Sequence, residues 1–274
     1  MRFLSVTTWS LNRLLGSLQW NEWDDANKKI VTRVEEKPEV HSLLELPQLL
    51  VEKGYQAMEV IHPHFPSTEL SYLEELRQAV EKAGIRFYTL LIDYGDISSE
   101  DPLRQTADVQ FLKEWIDVAA AVGAEHVRII GGEAEPDAKK QLQTASEQLN
   151  EICSYAQTKG VGVLTENFKR LTSTAENSLY LNEQTAIAGL ITDFGNFSGE
   201  SKLHSIQETL PHSKSIHVKA FQLDDGSIDQ AELEQCLELV VQADYSGPLT
   251  IVYDGPDDMW SGIKDVEEIA KYYL

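Results

Sequence analysis

Residues 137–166, DAKKQLQTASEQLNEICSYAQTKGVGVLTE, contain the pattern that decides the fold. Asp137 to Lys159 has the amphipathic spacing of a long helix, and Gly162 to Glu166 is a short apolar run typical of a buried strand. Gly160 stands between them, at the position where a left-handed residue commonly ends a helix. The stretch therefore predicts a helix, a tight turn and a strand in succession.

The same unit recurs along the whole chain. We predict eight strands, at Phe3 to Thr8, Ala57 to His62, Arg86 to Ile92, His126 to Gly131, Gly162 to Glu166, Leu190 to Asp193, Ser215 to Lys219 and Leu249 to Tyr253. Eight helices alternate with them, at His41 to Lys53, Glu69 to Ala83, Leu103 to Val122, Asp137 to Lys159, Thr174 to Ala188, Lys202 to Leu210, Asp229 to Ala243 and Gly262 to Tyr273. Gly54, Gly84 and Gly123 also follow helix ends directly.

Alternating strands and helices predict parallel pairing through right-handed crossovers, and eight such units favour an α/β protein that is a single-domain (β/α)8 TIM barrel. A doubly wound open sheet is the alternative. It is disfavoured because Thr7-Thr8-Trp9-Ser10-Leu11 follows the first strand, where such sheets usually carry a glycine-rich phosphate-binding motif.

The connection from about residue 14 to 40 departs from the repeat. It is too long for an ordinary loop between a strand and a helix, and it carries Trp20 and Trp23 among polar residues. It could cover the barrel mouth as a lid or form a subunit contact. The alternative is a solvated insertion whose tryptophans pack locally.

Composition limits the partners. The chain has 274 residues with 45 acidic and 23 basic side chains, which gives a net charge of −22. This negative field repels nucleic acid and anionic membrane surfaces, so we expect neither as a partner. We also expect no membrane span, because no window approaches 18 apolar residues. Cys153 and Cys236 form no metal or redox motif, which is typical of a reduced, cytoplasmic protein.

Three successive strands end in possible metal ligands. Glu166, Asp193 and His217 lie at the carboxyl ends of the fifth, sixth and seventh predicted strands, where barrel enzymes have their active sites. Carboxylate and imidazole donors suit a divalent ion such as Mn²⁺, Mg²⁺, Co²⁺ or Zn²⁺, with positions open for a substrate. Taken singly, each residue could equally cap a helix or form a salt bridge.

The second strand adds Glu59 and is followed by His62-Pro63-His64. These three polar side chains are predicted to form part of a substrate-binding rim. Alternatively, one histidine caps a turn and the other is solvated, because Pro63 and Pro66 argue against a continuous strand.

These segments resemble the xylose isomerase-like TIM barrel family (AP endonuclease family 2), which includes sugar phosphate isomerases and epimerases, hydroxypyruvate isomerases and inosose dehydratases. The resemblance covers nearly the whole chain. It is carried by Gly54-Tyr55-Gln56-Ala57-Met58-Glu59, Thr165-Glu166-Asn167, Thr192-Asp193-Phe194-Gly195-Asn196, Ile216-His217-Val218-Lys219 and the stretch from Gly247 to Gly255. It implies a divalent metal held by Glu166, Asp193, His217 and a glutamate from the last strand.

The fourth ligand is missing. Val252 stands where the family has its last glutamate, and this removes both a metal ligand and the second acid/base of an epimerase-like mechanism. Asp254 lies two residues further along on the same strand face and could reach inward to contact substrate, although Asp-Gly at this point usually marks a turn. A metal bound without this carboxylate could be held weakly or be lost altogether.

The resemblance implies a metal-dependent sugar or sugar-phosphate isomerase or epimerase, or a related lyase, that works by proton transfer beside a carbonyl. Glu166 would be the base, Lys219 would hold a developing oxyanion, and Asn196 would bind a substrate hydroxyl. The expected partner is a small sugar or polyol, with a homo-oligomer possible. The alternative is a carbohydrate-binding barrel with impaired or no catalysis. DNA repair in the manner of endonuclease IV is disfavoured by the acidic charge.

Overall fold

The computed structural model describes residues 1–223 and 227–274 and confirms the (β/α)8 TIM barrel as a single domain. Eight parallel strands close the barrel in the order β1-β4-β5-β6-β7-β8-β9-β10, and β2 and β3 form a separate antiparallel pair. The strands are β1 Phe3–Thr7, β2 Leu18–Asp24, β3 Lys29–Glu35, β4 Ala57–Ile61, β5 Arg86–Leu91, β6 His126–Arg128, β7 Gly162–Glu166, β8 Gly189–Asp193, β9 Ser213–Lys219 and β10 Pro248–Val252.

The helices surround the barrel close to their predicted positions. They are α1 Leu46–Glu52, α2 Leu70–Ala83, α3 Pro102–Val122, α4 Lys139–Lys159, α5 Ala175–Gln184, α6 Lys202–Thr209, α7 Gln230–Gln242 and α8 Met259–Ala270. Gly84, Gly123 and Gly160 end α2, α3 and α4 with φ values of 71°, 75° and 74°, as the sequence predicts. The prediction for α1 was too long at its start, because Ser42 and Glu45 form a turn in which the Ser42 backbone N–H donates to the Glu45 carboxylate.

Two apolar clusters lie on opposite sides of the barrel wall. The larger fills the space between the strands and the surrounding helices, and both cysteines are buried there as free thiols. The smaller lies inside the barrel and consists of Leu18, Ile61, Leu91, Leu164 and Ile191. Leu164 and Ile191 of this cluster lie two residues before Glu166 and Asp193 on the same strand faces, so these two carboxylates follow the cluster toward the barrel mouth.

The insertion near residues 14–40 contains the β2–β3 hairpin. Leu18 anchors the hairpin in the inner cluster, and Gln19 donates from its side-chain amide to the carbonyl of Phe65 at 3.0 Å. Trp20 packs edge-to-face on Trp9, with 6.3 Å between the ring centroids. The hairpin therefore covers part of the barrel mouth, which agrees with the lid interpretation. A subunit contact through this hairpin stays a prediction.

None of the helices within residues 1–223 and 227–274 has both the length and the apolar character needed to cross a bilayer.

Candidate active site

Glu166, Asp193 and His217 meet at the carboxyl ends of three adjacent strands. Asp193 is in register with His217 across β8 and β9, while Glu166 is the last residue of β7. One oxygen from each carboxylate lies 3.5 Å from His217 Nδ1. All three side chains are buried, and their ligand atoms lie within 4.8 Å of one another. The structure thus brings together the three residues that the sequence predicted as ligands.

Glu59 orients His217 from below. Its Oε2 lies 2.9 Å from His217 Nε2, and its Oε1 accepts hydrogen bonds from Ser215 and Thr250 at 2.6 and 2.9 Å. Burial alone would raise the pKa of Glu59, but the His217 charge and these hydrogen bonds outweigh it and lower the pKa. The sequence predicted Glu59 as a substrate-binding residue. The structure instead buries it behind His217, where it holds Nε2 protonated.

The charge on His217 follows from the same surroundings. Burial by itself would lower the pKa of His217, but Glu166 and Glu59 outweigh it, and the pKa lies well above its usual value. These carboxylates therefore favour the protonated ring, whose Nε2 faces Glu59 and whose Nδ1 faces Glu166 and Asp193. A cation bound at Nδ1 would replace the proton there.

Two asparagines fix the carboxylates. The Asn167 side chain donates to the backbone carbonyl of Asp193 at 2.9 Å and accepts from its backbone N–H at 2.8 Å, which locks the ends of β7 and β8 together. Asn196 donates to Glu166 Oε1 at 3.1 Å. Asn196, predicted as a substrate ligand, therefore lies in the site and also holds the proposed base.

The donor set fits a divalent cation. Two carboxylates and one imidazole nitrogen converge from one side, which is a ligand set that Mn²⁺, Co²⁺, Zn²⁺ or Mg²⁺ accepts with positions left open. Glu166 Oε2 is buried and accepts no hydrogen bond from any residue that the structure describes. A bound cation would satisfy this oxygen. The Glu59 carboxylate on the far side of His217 is the type of partner that orients metal-binding histidines.

Arg128, which the sequence did not predict as a site residue, lies at the end of β6 next to Glu166. Its Nη2 donates to Asp93 at 2.5 Å and its Nη1 donates to the carbonyl of Ile92 at 3.0 Å. Its Nε lies 3.0 Å from Glu166 Oε2, although their alignment does not make a hydrogen bond. A lone cation in the otherwise apolar run VRII was the available sequence signal.

Lys219 and Asp254 form an ion pair on the other side of the site, with Nζ 2.7 Å from Oδ2. Burial would lower the pKa of Lys219, but Asp193 and Asp254 outweigh it and raise the pKa, so the side chain stays charged. Gly195 makes room for this lysine, because a Cβ there would come within 2.7 Å of the Lys219 stem. Asp254 thus contacts Lys219 and lies outside the Glu166, Asp193 and His217 group.

His62 and His64 lie on a short 3-10 turn after β4 and do not line the cavity. His62 uses both ring nitrogens: Nδ1 accepts from the backbone N–H of Asp93 at 2.9 Å, and Nε2 lies 3.1 Å from the Asn21 side-chain oxygen. His64 Nδ1 lies 2.9 Å from the Thr8 hydroxyl. Burial lowers the pKa of each histidine to about 3. Both are therefore neutral structural groups in a turn: neither lines the cavity as a substrate-binding residue would, and neither ring is solvated, as the alternative required of one of them.

A cavity of about 270 Å³ opens above Glu166, Asp193 and His217. One part of its wall is polar and is formed by Asp93, Arg128, Glu166, Asp193, Asn196, His217, Lys219 and Asp254. Another part is apolar and is formed by Trp9, Trp20, Ile61, Leu91 and Val252. Trp9 lies on the short 3-10 turn directly after β1, whereas Trp20 could not be assigned to this wall from sequence, because the path of the insertion follows from packing against the barrel.

The family follows from a comparison of the sequence with protein-family models. The model for the xylose isomerase-like TIM barrel matches residues 47–272. The chain belongs to this family. A comparison with curated proteins gives no significant match.

Solved structures of this family share the fold at low sequence identity. An L-ribulose 3-epimerase is similar at 15% identity and a TM-score of 0.73, over 100% of this chain and 95% of that one. A D-allulose 3-epimerase from Methylomonas sp. gives 15% identity and a TM-score of 0.70, over 100% of both chains. A xylose isomerase-like protein from Mycobacterium smegmatis in complex with magnesium gives 15% identity and a TM-score of 0.68, over 99% of this chain and 96% of that one. At this identity the likeness establishes the fold.

Proposed function

We propose that the protein is a metal-dependent carbohydrate isomerase that uses one base. The observation that carries this proposal is the asymmetry of the cavity: Glu166, Asp193 and His217 end three adjacent strands, and the next strand, β10, carries Val252 where a second acid/base carboxylate would stand. Removing a proton from one face of a carbon and returning one to the other face needs two acid/base groups. Moving a proton between neighbouring carbons needs one.

The residues have separate roles in this proposal. Glu166 takes the proton from the carbon beside the carbonyl and returns it to the former carbonyl carbon, while the hydroxyl proton on the first carbon passes to the former carbonyl oxygen. Lys219 stabilises negative charge on the substrate oxygen, and Asn196 keeps Glu166 oriented. A divalent cation held by Glu166, Asp193 and His217 would polarise the carbonyl. The apolar wall at Trp9 and Trp20 gives the carbon skeleton of a sugar or polyol a surface on which to pack.

The relatives support the substrate class. Two of the similar structures are epimerases of keto sugars, and a third contains magnesium. Val252 distinguishes this chain from a two-carboxylate epimerase, which is why we favour isomerisation over epimerisation. Mn²⁺, Co²⁺, Mg²⁺ and Zn²⁺ are all candidate cations.

Hydrogen exchange in D₂O tests the proposal and identifies the carbon that reacts. Purified protein is incubated with each cation and a panel of ketoses and aldoses, and proton NMR follows exchange. We expect deuterium at C1 of a ketose, with a rate at least 100-fold lower in Glu166→Gln, which keeps the shape but not the base. Exchange at C3 would contradict isomerisation. Val51→Thr, a change on the outer surface of α1, is the control for handling and folding.

A carbohydrate-binding barrel without turnover is the second candidate. Two observations favour it: Val252 removes a carboxylate, and Arg128 places a positive charge beside the proposed base. This candidate predicts calorimetric binding of a sugar with no exchange at any carbon under any of the four cations. Exchange that depends on Glu166 would exclude it.

A further inference from the structure

Arg128 and Glu166 form a buried ion pair with unusual geometry. Arg128 Nε lies 3.0 Å from Glu166 Oε2, and the two side chains are only 4% and 3% exposed. Neither atom has a hydrogen-bond partner within residues 1–223 and 227–274. The charges attract each other, but the Glu166 oxygen keeps its lone pairs free for another positive group.

The guanidinium is fixed in this position. Asp93 and the carbonyl of Ile92 accept two of its hydrogen bonds, and the ring of Phe168 lies 5.0 Å from its central carbon. An arginine side chain stays charged at any pH that the protein experiences. Arg128 therefore holds a permanent positive charge against Oε2 of the same carboxylate whose Oε1 lies 3.5 Å from His217 Nδ1.

We infer that Arg128 weakens the cation site, because its guanidinium, 3.0 Å from Glu166 Oε2, competes with a divalent ion for the charge of the Glu166 carboxylate. The inference rests on the proposed function, since it takes Glu166, Asp193 and His217 as the ligands. A divalent ion beside Glu166 and a buried guanidinium would repel each other strongly in a dry site. Val252 and Arg128 then both lower the affinity for a divalent cation, because Val252 lacks the negative charge of a glutamate and Arg128 adds a positive charge.

Calorimetric titration with Mn²⁺ alone, without sugar, tests the inference. Arg128→Gln removes the charge and is expected to bind Mn²⁺ at least tenfold more tightly than the wild type, or about 1.4 kcal/mol. Arg128→Lys keeps the charge and should remain close to the wild type. A purely structural role would predict weaker binding in both variants. Arg86→Gln is the matched control, because Arg86 pairs with Glu125 at the opposite end of the barrel.

Loss of Arg128 leaves Asp93 without its ion-pair partner, so a second variant guards against misfolding. Asp93→Asn combined with Arg128→Gln removes both charges and is expected to bind Mn²⁺ more tightly as well. Unchanged or weaker affinity in either folded variant would overturn the inference. If neither the wild type nor any variant binds Mn²⁺, the inference fails together with the metal site. Tighter binding without any exchange in D₂O would support the inference while contradicting the isomerase.

Discussion

The two sides of the cavity differ in charge: one carries ionisable side chains and the other carries apolar ones. The side formed by β6 to β9 concentrates Arg128, Glu166, Asp193 and His217 within contact distance. The side formed by β10, β1 and the hairpin presents Val252, Trp9 and Trp20. We call these the charged side and the apolar side. Under the proposed function, this difference confines proton transfer to one face of a bound sugar and leaves the other face to packing.

The histidines repeat this contrast. His217, among the carboxylates of the charged side, has a pKa well above its usual value. His62 and His64 are equally buried, but they lie behind the apolar side and have pKa values of about 3. Burial favours the neutral form at all three positions, and only the carboxylates around His217 reverse it. Neighbouring charge, rather than depth, therefore decides the protonation of a buried histidine in this barrel.

The largest effect is expected when the charged side loses its histidine. His217→Ala removes one ligand and leaves Glu59 buried without its cationic partner, so we expect loss of Mn²⁺ binding and a free energy of unfolding lower by about 3–5 kcal/mol. Calorimetry and urea unfolding measure the two effects. His204→Ala, on the exposed surface of α6, should change neither. Wild-type Mn²⁺ affinity in His217→Ala would show that the three residues are not a cation site.

The neutral histidines predict a loss of stability in acid. Their pKa falls from 6.5 in the unfolded chain to about 3 in the fold, so the unfolded state binds more protons below pH 6.5. Each histidine contributes its full stabilisation above pH 6.5 and loses about 1.4 kcal/mol per pH unit as the pH falls from there toward 3.

Urea unfolding at pH 6.5, 5.5 and 4.5 measures this dependence. His62→Gln cannot be protonated, so its free energy of unfolding should fall less steeply than that of the wild type, by about 1.4 kcal/mol per pH unit. His204→Gln, exposed on α6, should follow the wild-type slope. Parallel curves for wild type and His62→Gln would mean that His62 does not remain neutral in the fold.

Val252→Glu would make the apolar side resemble the charged side. The new carboxylate would lie on β10 next to Lys219, and we expect Mn²⁺ affinity to rise at least tenfold, or about 1.4 kcal/mol. Without metal, the buried charge should lower the free energy of unfolding by about 1–3 kcal/mol, and Mn²⁺ should restore it. Val252→Gln has the same size without charge and should not gain affinity. Equal gains in both variants would argue that volume, and not charge, matters at this position.

The fold and the three carboxylate and imidazole residues of the charged side were predictable from sequence for the same reason. Alternating apolar periodicity places the strands, and parallel strands bring their carboxyl ends together, so Glu166, Asp193 and His217 had to meet. The last residues of β7 and β8 were predicted correctly as well. The predictions of helix ends were most accurate where a glycine adopts a left-handed conformation, as at Gly123 and Gly160.

The sequence did not predict where side chains away from the carboxyl ends of the strands point, or which residues they contact. Glu59 was expected to face substrate, but Ser215, Thr250 and His217 satisfy both of its oxygens below the cavity. His62 hydrogen-bonds Asn21, a residue of the hairpin, and that contact depends on how the hairpin docks. Such pairs join segments far apart in the chain, and periodicity carries no information about them.

The smallest expected effect belongs to Trp20 on the apolar side. Its ring lines the cavity, packs on Trp9 and is held by a hydrogen bond from Nε1 to Glu35 at 2.9 Å. If this side holds a sugar by packing, Trp20→Ala should weaken binding of the sugar that exchanges in D₂O by about fivefold, or about 1 kcal/mol, because one aromatic contact is lost. Trp20→Phe should recover most of that loss.

The rate of exchange at saturating sugar separates this role from chemistry. Trp20 lines the cavity as a packing residue of the apolar side, so Trp20→Ala should raise the sugar concentration needed for half-maximal exchange and leave the maximal rate within about twofold of the wild type. Trp23→Ala, in the same hairpin but outside the cavity wall, controls for disturbance of the hairpin itself. A fall in the maximal rate with unchanged binding would mean that the apolar side takes part in chemistry, and the division between the two sides would no longer hold.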